Sequence, residues 1–224
     1  MPGGAAAIRE PWRMAVSCLF HHFGRDFLNL PISFVRQLNA HKTGFLLRMI
    51  QQQINSPLTS SCGRLFDAVS ALVGIRQQIN YEAQAAIELE FAIQENGDDA
   101  YPVEITQTSQ PWLIRTGPMF ASLIEDLRQG LADGTIARRF HNGLVNGFLN
   151  VAVALRQNRG LNRVCLSGGT FHNVYLAQRL EAALSAKGFE VFTHHEVPAG
   201  DGGLSLGQAL VAAYTFRAKS QTVV

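Results

Sequence analysis

Residues 162–195 read NRVCLSGGTFHNVYLAQRLEAALSAKGFEVFTHH, and this stretch decides the fold class. RVCLSGG is a short apolar run ending in a glycine pair, FHNVYLAQRLEAALSAKG has helical spacing and ends in glycine, and FEVFTH is a second extended run. Strand, helix and strand at this length predict a βαβ unit with a parallel crossover. Ligands in such sheets collect at the carboxyl ends of the strands. That edge carries Ser167, Gly168 and Gly169 after the first strand and the loop VPAGDGG, residues 197–203, after the second.

Upstream, the α/β character extends back to about residue 100. YPVEITQ (101–107) and PWLIRTG (111–117) predict a hairpin, with a proline in each run favouring edge positions. PMFASLIEDLRQGL (118–131) predicts a helix with Pro118 in its first turn, and IARRFHNGLVNGFLNVAVALRQNRG (136–160) predicts a longer one ended by Gly160. Before residue 100 the pattern is helical four times over: residues 10–23, 31–54, 61–75 and 81–93. In the second of these, Val35, Leu38, Phe45, Leu46 and Met49 share a face only if the helix breaks near Gly44, so two short helices are expected. Asn55-Ser56-Pro57 ends one segment, and the NGDD turn around Asp98 marks a boundary. The expected organisation is therefore a helical part, 1–98, and an α/β lobe, 99–224.

Composition narrows the class of function. The chain has 224 residues, 47% hydrophobic and 16% charged, with a net charge of +2, which excludes a disordered protein and gives no basic surface for nucleic acid. Cys18, Cys62 and Cys165 form no CxxC pair, so neither a zinc knuckle nor a disulfide framework is indicated, and a reducing, cytoplasmic setting fits best. No run approaches 18 apolar residues and the start lacks a signal-peptide pattern, so no membrane role is expected.

Three constellations could carry chemistry. In LSGGTFHN (166–173), two glycines after a strand allow close backbone approach to a phosphate or nucleoside, and Asn173 in the first turn of the helix could bond a ribose or base. A plain βα turn that needs glycine for its dihedrals explains the same residues equally well. In PAGDGGLSLG (198–207), Asp201 reads as a helix N-cap or as a carboxylate ligand for a divalent cation, the cap being the commoner use. In SSCGRLFD (60–67), a Ser-rich helix start with Gly63 could face a ligand and Asp67 could meet ribose hydroxyls. The alternative is a Ser-capped amphipathic helix with a solvated Asp67. The histidine pairs 21–22 and 194–195 make no metal site by themselves, and Cys165 inside an apolar strand reads as a buried small hydrophobe. Trp12 and Trp112 read as core or lobe-interface anchors.

Taken together, REPWRMA, NSPLTSSCGRLFDAVSALVGI, YEAQAAIELE, ARRFHNGL, LSGGTFHN and VPAGDGGLSLGQALVAA, in this order over nearly the whole chain, resemble the C-terminal part of the HypF carbamoyltransferases of [NiFe]-hydrogenase maturation. The same segments resemble TsaD more distantly. The resemblance implies part of an actin/Hsp70-type two-lobed ATPase fold. It implies a nucleotide or acyl-adenylate lined by Gly63, Asp67, Gly168, Gly169 and Asn173, and a divalent metal, iron or zinc, on Asp201. It also implies a reaction in which the carbamoyl group of carbamoyl-adenylate, made from carbamoyl phosphate and ATP, passes to the C-terminal cysteine of a HypE-like acceptor. Such a reaction needs no protein nucleophile, which agrees with the lack of a Ser/His or Cys/His signature.

Departures from the family pattern shape the expectation further. Full-length members carry acylphosphatase-like, zinc-finger and YrdC-like domains that this sequence does not contain, and the family's HHHAH-type metal histidines lie upstream of REPWRMA. The metal site is accordingly expected to be incomplete, and activity to require the N-terminal HypF domains in cis or as a separate chain. The alternative is a truncated, inactive nucleotide-binding fragment. His172 stands where the family commonly has Gln, and touching the adenylate or facing solvent are equally open to it. Part of the apolar excess is expected to cover surfaces meant for the companion lobe.

Overall fold

The computed structural model describes residues 1–94, 97–108 and 111–221, with side chains through residue 216. The chain packs as two compact units, Met1–Val153 and Ala154–Val224. This division follows packing and not the change of element pattern near residue 98. Of the NGDD turn, Asn96 lies outside the described residues, as do Ser109 and Gln110 in the hairpin connection.

The first unit is mostly helical: α1 (Ala6–Arg9), α2 (Pro11–Phe23), α3 (Ser33–Arg36), α4 (Ala40–Gln51), α5 (Cys62–Leu72) and α6 (Gln84–Phe91). The apolar stripe of α2, with Met14, Ala15, Val16 and Leu19 buried, packs on α5, whose residues Phe66 to Leu72 are all buried. The expected break near Gly44 is displaced. The chain interrupts at Gln37–Asn39, where the Asn39 side chain accepts the Lys42 N–H at 3.0 Å and starts α4 afresh, while Gly44 sits inside that helix. A side-chain cap supplies a definite start, whereas one interior glycine costs a helix only about 1 kcal/mol. Phe45 is consequently exposed instead of sharing the buried face of Leu46 and Met49.

The hairpin follows as β1 (Glu104–Thr106) and β2 (Leu113–Arg115), antiparallel with Ile105 opposite Ile114, both prolines lying outside the paired residues. Then come α7 (Gly117–Gln129), with Pro118 in its first turn, and the 27-residue α8 (Asp133–Arg159). The start of α8 is tied to the preceding loop by polar contacts. Asp99 receives Arg138 at 2.8 Å and Arg139 at 2.6 Å, Asn142 donates to the carbonyls of Gly97 and Asp99, and Arg139 and the Tyr101 hydroxyl both donate to Asp126. Gly143 faces the Tyr101 carbonyl so closely that a Cβ there would lie 2.8 Å from its oxygen.

The second unit contains the expected βαβ element: β3 (Arg163–Cys165), α9 (Val174–Ala186) and β4 (Glu190–Phe192), with Val164 paired in parallel to Val191. Leu176, Leu180 and Leu184 form the buried stripe of α9. Cys165, expected to be buried, is exposed. On a strand the side chains alternate, so Cys165 shares the face of exposed Arg163 and lies opposite half-buried Val164. Trp12 and Trp112 are half-buried. The chain ends in α10 (Leu204–Gln221), which leaves Leu204, Leu206, Leu210, Val211, Tyr214 and Phe216 exposed.

Candidate functional site

Two of the expected site residues lie in the first unit, at the beginning of α5. Ser61 caps this helix by accepting the Arg64 N–H at 3.4 Å, and Gly63 is half-exposed in the first turn. Asp67, one turn further, is not the solvated side chain of the simple amphipathic reading. It is 1% exposed, with the Arg64 guanidinium 3.0 Å from its Oδ2. That contact is a close charge pair without hydrogen-bond alignment, so Oδ2 has no hydrogen-bond partner among the described residues. Burial raises the Asp67 carboxyl to about 6, against the opposing influence of Arg64. The start of α5 therefore holds a carboxyl group that burial pushes toward its neutral form, with Arg64 opposing.

Arg64 also lines a cavity of about 590 Å³ beside Ser61, Arg9, Asn80, Tyr81 and Glu82. Farther along α5, Phe66 meets Phe140 and His141 of α8 edge to face, with ring centroids 5.0 and 5.1 Å away. The His141 ring is fully buried with Nδ1 2.7 Å from the Ala137 carbonyl, and burial lowers its pKa to about 4. Neither Arg64 nor His141 was singled out from the sequence. The only signal was their place in GRLFD and ARRFHNGL, since helical spacing does not show which polar residue a helix buries.

The remaining residues lie in the second unit, at the carboxyl ends of β3 and β4. The ladder continues one step beyond the strands, Leu166 N–H donating to the Phe192 carbonyl at 2.9 Å. Gly168 then turns the chain at φ +106°, which side chains rarely adopt, and its N–H donates to the Ala199 carbonyl at 2.8 Å. This N–H joins the SGG turn to the PAGDGG loop and is thus engaged within the protein. A short 3-10 turn, Gly169–His172, leads to Asn173, which is the N-cap of α9 and not a first-turn residue. Its Oδ1 accepts the Leu176 N–H at 2.7 Å and the residue is 9% exposed.

The two loops stay close beyond that bond. A Cβ on Gly200 would lie 2.7 Å from the His172 Nε2 and 3.5 Å from the Gly169 Cα, so exposed His172 lies over the start of the DGG turn. Asp201 is exposed in the 3-10 turn Asp201–Gly203 and its carboxylate makes no hydrogen bond among the described residues, so the N-cap use is absent. No group of three or more His, Cys, Asp or Glu among the described residues is arranged to hold a metal. Among the described residues Asp201 offers one carboxylate outside any such group, fewer ligands than a metal ion takes. Ser167 and His194, each two residues past its strand end, are joined: the His194 Nε2 lies 3.0 Å from the Ser167 Oγ. His195 makes a similar contact with Thr193 Oγ1 at 3.1 Å. Gly168, Gly169, Asn173 and Asp201 thus share one edge of the βαβ unit, while Gly63 and Asp67 share one helix of the other unit.

The comparisons agree with this arrangement of motifs. Residues 1–208 match the family described as "Carbamoyltransferase, Kae1-like Domain, second subdomain". Carbamoyltransferase HypF of Synechocystis is 34% identical over 221 residues, covering 93% of this chain and 28% of that protein. A "Carbamoyltransferase HypF homolog" of Cupriavidus necator is 34% identical over 95% of this chain and 55% of its own length. Among solved structures, full-length HypF in a phosphate- and nucleotide-bound form superposes with a TM-score of 0.87 at 38% identity, covering 94% of this chain and 32% of that one. HypF of T. kodakarensis gives a TM-score of 0.81 at 27% identity over 97% of this chain and 29% of its own. The chain spans less than a third of these two solved HypF chains. On the match over residues 1–208 and the agreement of fold, the chain belongs to the HypF carbamoyltransferase family, in the region of its Kae1-like second subdomain.

Proposed function

We propose that this chain is the acyl-transfer part of a HypF-type carbamoyltransferase of [NiFe]-hydrogenase maturation, binding carbamoyl-adenylate and passing its carbamoyl group to the C-terminal cysteine of a HypE-like acceptor. The observation that carries this reading is the family match over residues 1–208, supported by the two glycine-rich loops joined at the carboxyl edge of β3 and β4. Gly168 and Gly169 leave room for a nucleotide against the backbone, and the start of α9 supplies a favourable partial positive charge. Asn173 fixes that helix start and contributes to the same edge. In the first unit, Gly63 and Asp67 at the start of α5 are the family-motif positions, with Arg64 beside the buried carboxylate.

The chemistry asks little else of the chain. The acceptor thiolate attacks the carbamoyl carbon, a C–S bond forms, the bond from that carbon to the phosphate oxygen breaks, and AMP leaves with the electron pair. The thiol proton passes to solvent or a basic group. Because the described residues include no group of metal ligands around Asp201, no step is assigned to it. The actin/Hsp70-type lobe arrangement belongs to the same proposal, as does dependence on the N-terminal HypF domains, supported by the exposed apolar residues of α10. Complementation of a strain lacking full-length HypF tests the reading. Hydrogenase maturation is expected when the chain is supplied with the N-terminal domains in trans, and its failure in a background where intact HypF restores maturation would refute it.

A further inference from the structure

We propose that the Ser167–His194 pair, at the carboxyl ends of β3 and β4, is a phosphoryl-recognising subsite that holds the phosphate of a nucleotide lying against the Gly168–Gly169 turn. The inference rests on the nucleotide reading above and adds the side chains that would meet the phosphate.

The geometry supports it from three directions. Both side chains are exposed and already aligned at 3.0 Å, so a hydroxyl and an imidazole are presented together at the strand edge. Ser167 directly precedes the glycine turn, whose position is pinned by the Gly168–Ala199 bond, and the 13-residue α9 begins six residues later with its positive end at this edge. The Gly168 N–H is engaged by the Ala199 carbonyl, so the Ser167 and His194 side chains add donors at this edge beyond those of the turn. A serine hydroxyl and a protonated imidazole donate well to phosphoryl oxygens, and such charge-assisted bonds are stronger than neutral ones. The exposed side chains of Glu196 and Asp201 lie on the same loop.

Calorimetric titration of the full chain with AMP, adenosine and inorganic phosphate separates the possibilities. The wild type is expected to bind AMP more tightly than adenosine, and Ser167→Ala and His194→Gln to weaken AMP by about five- to tenfold while leaving adenosine unchanged. His195→Gln, on the neighbouring pair, is expected to change neither. Equal affinity of the wild type for AMP and adenosine would overturn the subsite while leaving nucleotide binding standing. Binding of inorganic phosphate that AMP cannot displace would place it outside the nucleotide site and also overturn it. No binding of either AMP or adenosine would overturn the nucleotide reading and the subsite together. Circular dichroism of each variant confirms that these exposed substitutions leave the fold intact.

Discussion

The Arg64 guanidinium lies 3.0 Å from the carboxylate of Asp67, a side chain that is 1% exposed near the start of α5. A family motif position is thereby also a titrating element of the fold. Burial raises the Asp67 carboxyl from 3.8 to about 6. The folded chain therefore holds this proton more tightly than the unfolded one, and the contribution is fully present below pH 3.8 and lost as pH rises through about 6. A shift of this size corresponds to about 3 kcal/mol as an upper figure. His141 acts in the opposite sense: its pKa falls from 6.5 to about 4, so its contribution is present above pH 6.5 and lost on acidification. Urea unfolding from pH 4 to 7 is expected to show a steeper rise of stability with pH in Asp67→Asn than in the wild type, because the opposing term is removed. An unchanged slope would contradict the buried placement of Asp67.

Two interior glycines of helices are expected to behave oppositely. Gly44 has open space around the Cβ position, so Gly44→Ala should stabilise the chain by about 0.5–1 kcal/mol. A Cβ on Gly143 would lie 2.8 Å from the Tyr101 carbonyl oxygen and 2.9 Å from the Met119 methyl, so Gly143→Ala should cost about 1–3 kcal/mol. Thermal denaturation of the two variants gives the comparison.

These glycines also show how far the sequence could be read. The βαβ unit was legible because its strand, helix and strand each carry their own apolar period and end in glycine. The hairpin was legible because two β-rich runs face each other across a few polar residues. The break at Asn39 was missed because a cap outweighs an interior glycine, a comparison of local energies that apolar spacing does not contain. Burial of Asp67 and exposure of Cys165 were missed for a related reason: spacing assigns residues to faces but not the neighbours that cover them. Of the candidate site, the glycine turns were readable as turns. The Ser167–His194 contact joins residues 27 apart that only the parallel register of β3 and β4 brings together.

The contacts around Asp126 predict a local cost. The Tyr101 hydroxyl donates to Asp126 at 2.7 Å, and Arg139 donates to the same oxygen at 2.6 Å. Tyr101→Phe removes one bond to a buried carboxylate that keeps its arginine, and should destabilise by about 1–2 kcal/mol. Arg139→Ala, which also strips a partner from Asp99, should cost more. Chemical denaturation of the two variants checks the order.

Asn173 has a structural and a proposed binding role that two substitutions separate. Asn173→Ala loses the α9 cap, at about 1 kcal/mol, and is expected to weaken nucleotide binding. Asn173→Asp retains a capping oxygen but replaces the amide donor with a second anionic oxygen, so stability should stay near wild type while affinity for AMP falls. Wild-type affinity in a folded Asn173→Asp variant would remove this side chain from the nucleotide site.

The central claim, carbamoyl transfer by this chain, is tested most directly by mass spectrometry of the acceptor's C-terminal cysteine after incubation with carbamoyl phosphate and ATP. The chain alone is expected to leave the cysteine unmodified and release no AMP. The chain together with separately supplied N-terminal HypF domains is expected to give a thiocarbamate, with one AMP released for each carbamoyl group transferred. An unmodified acceptor in that second mixture, under conditions where intact HypF modifies it, would contradict the account.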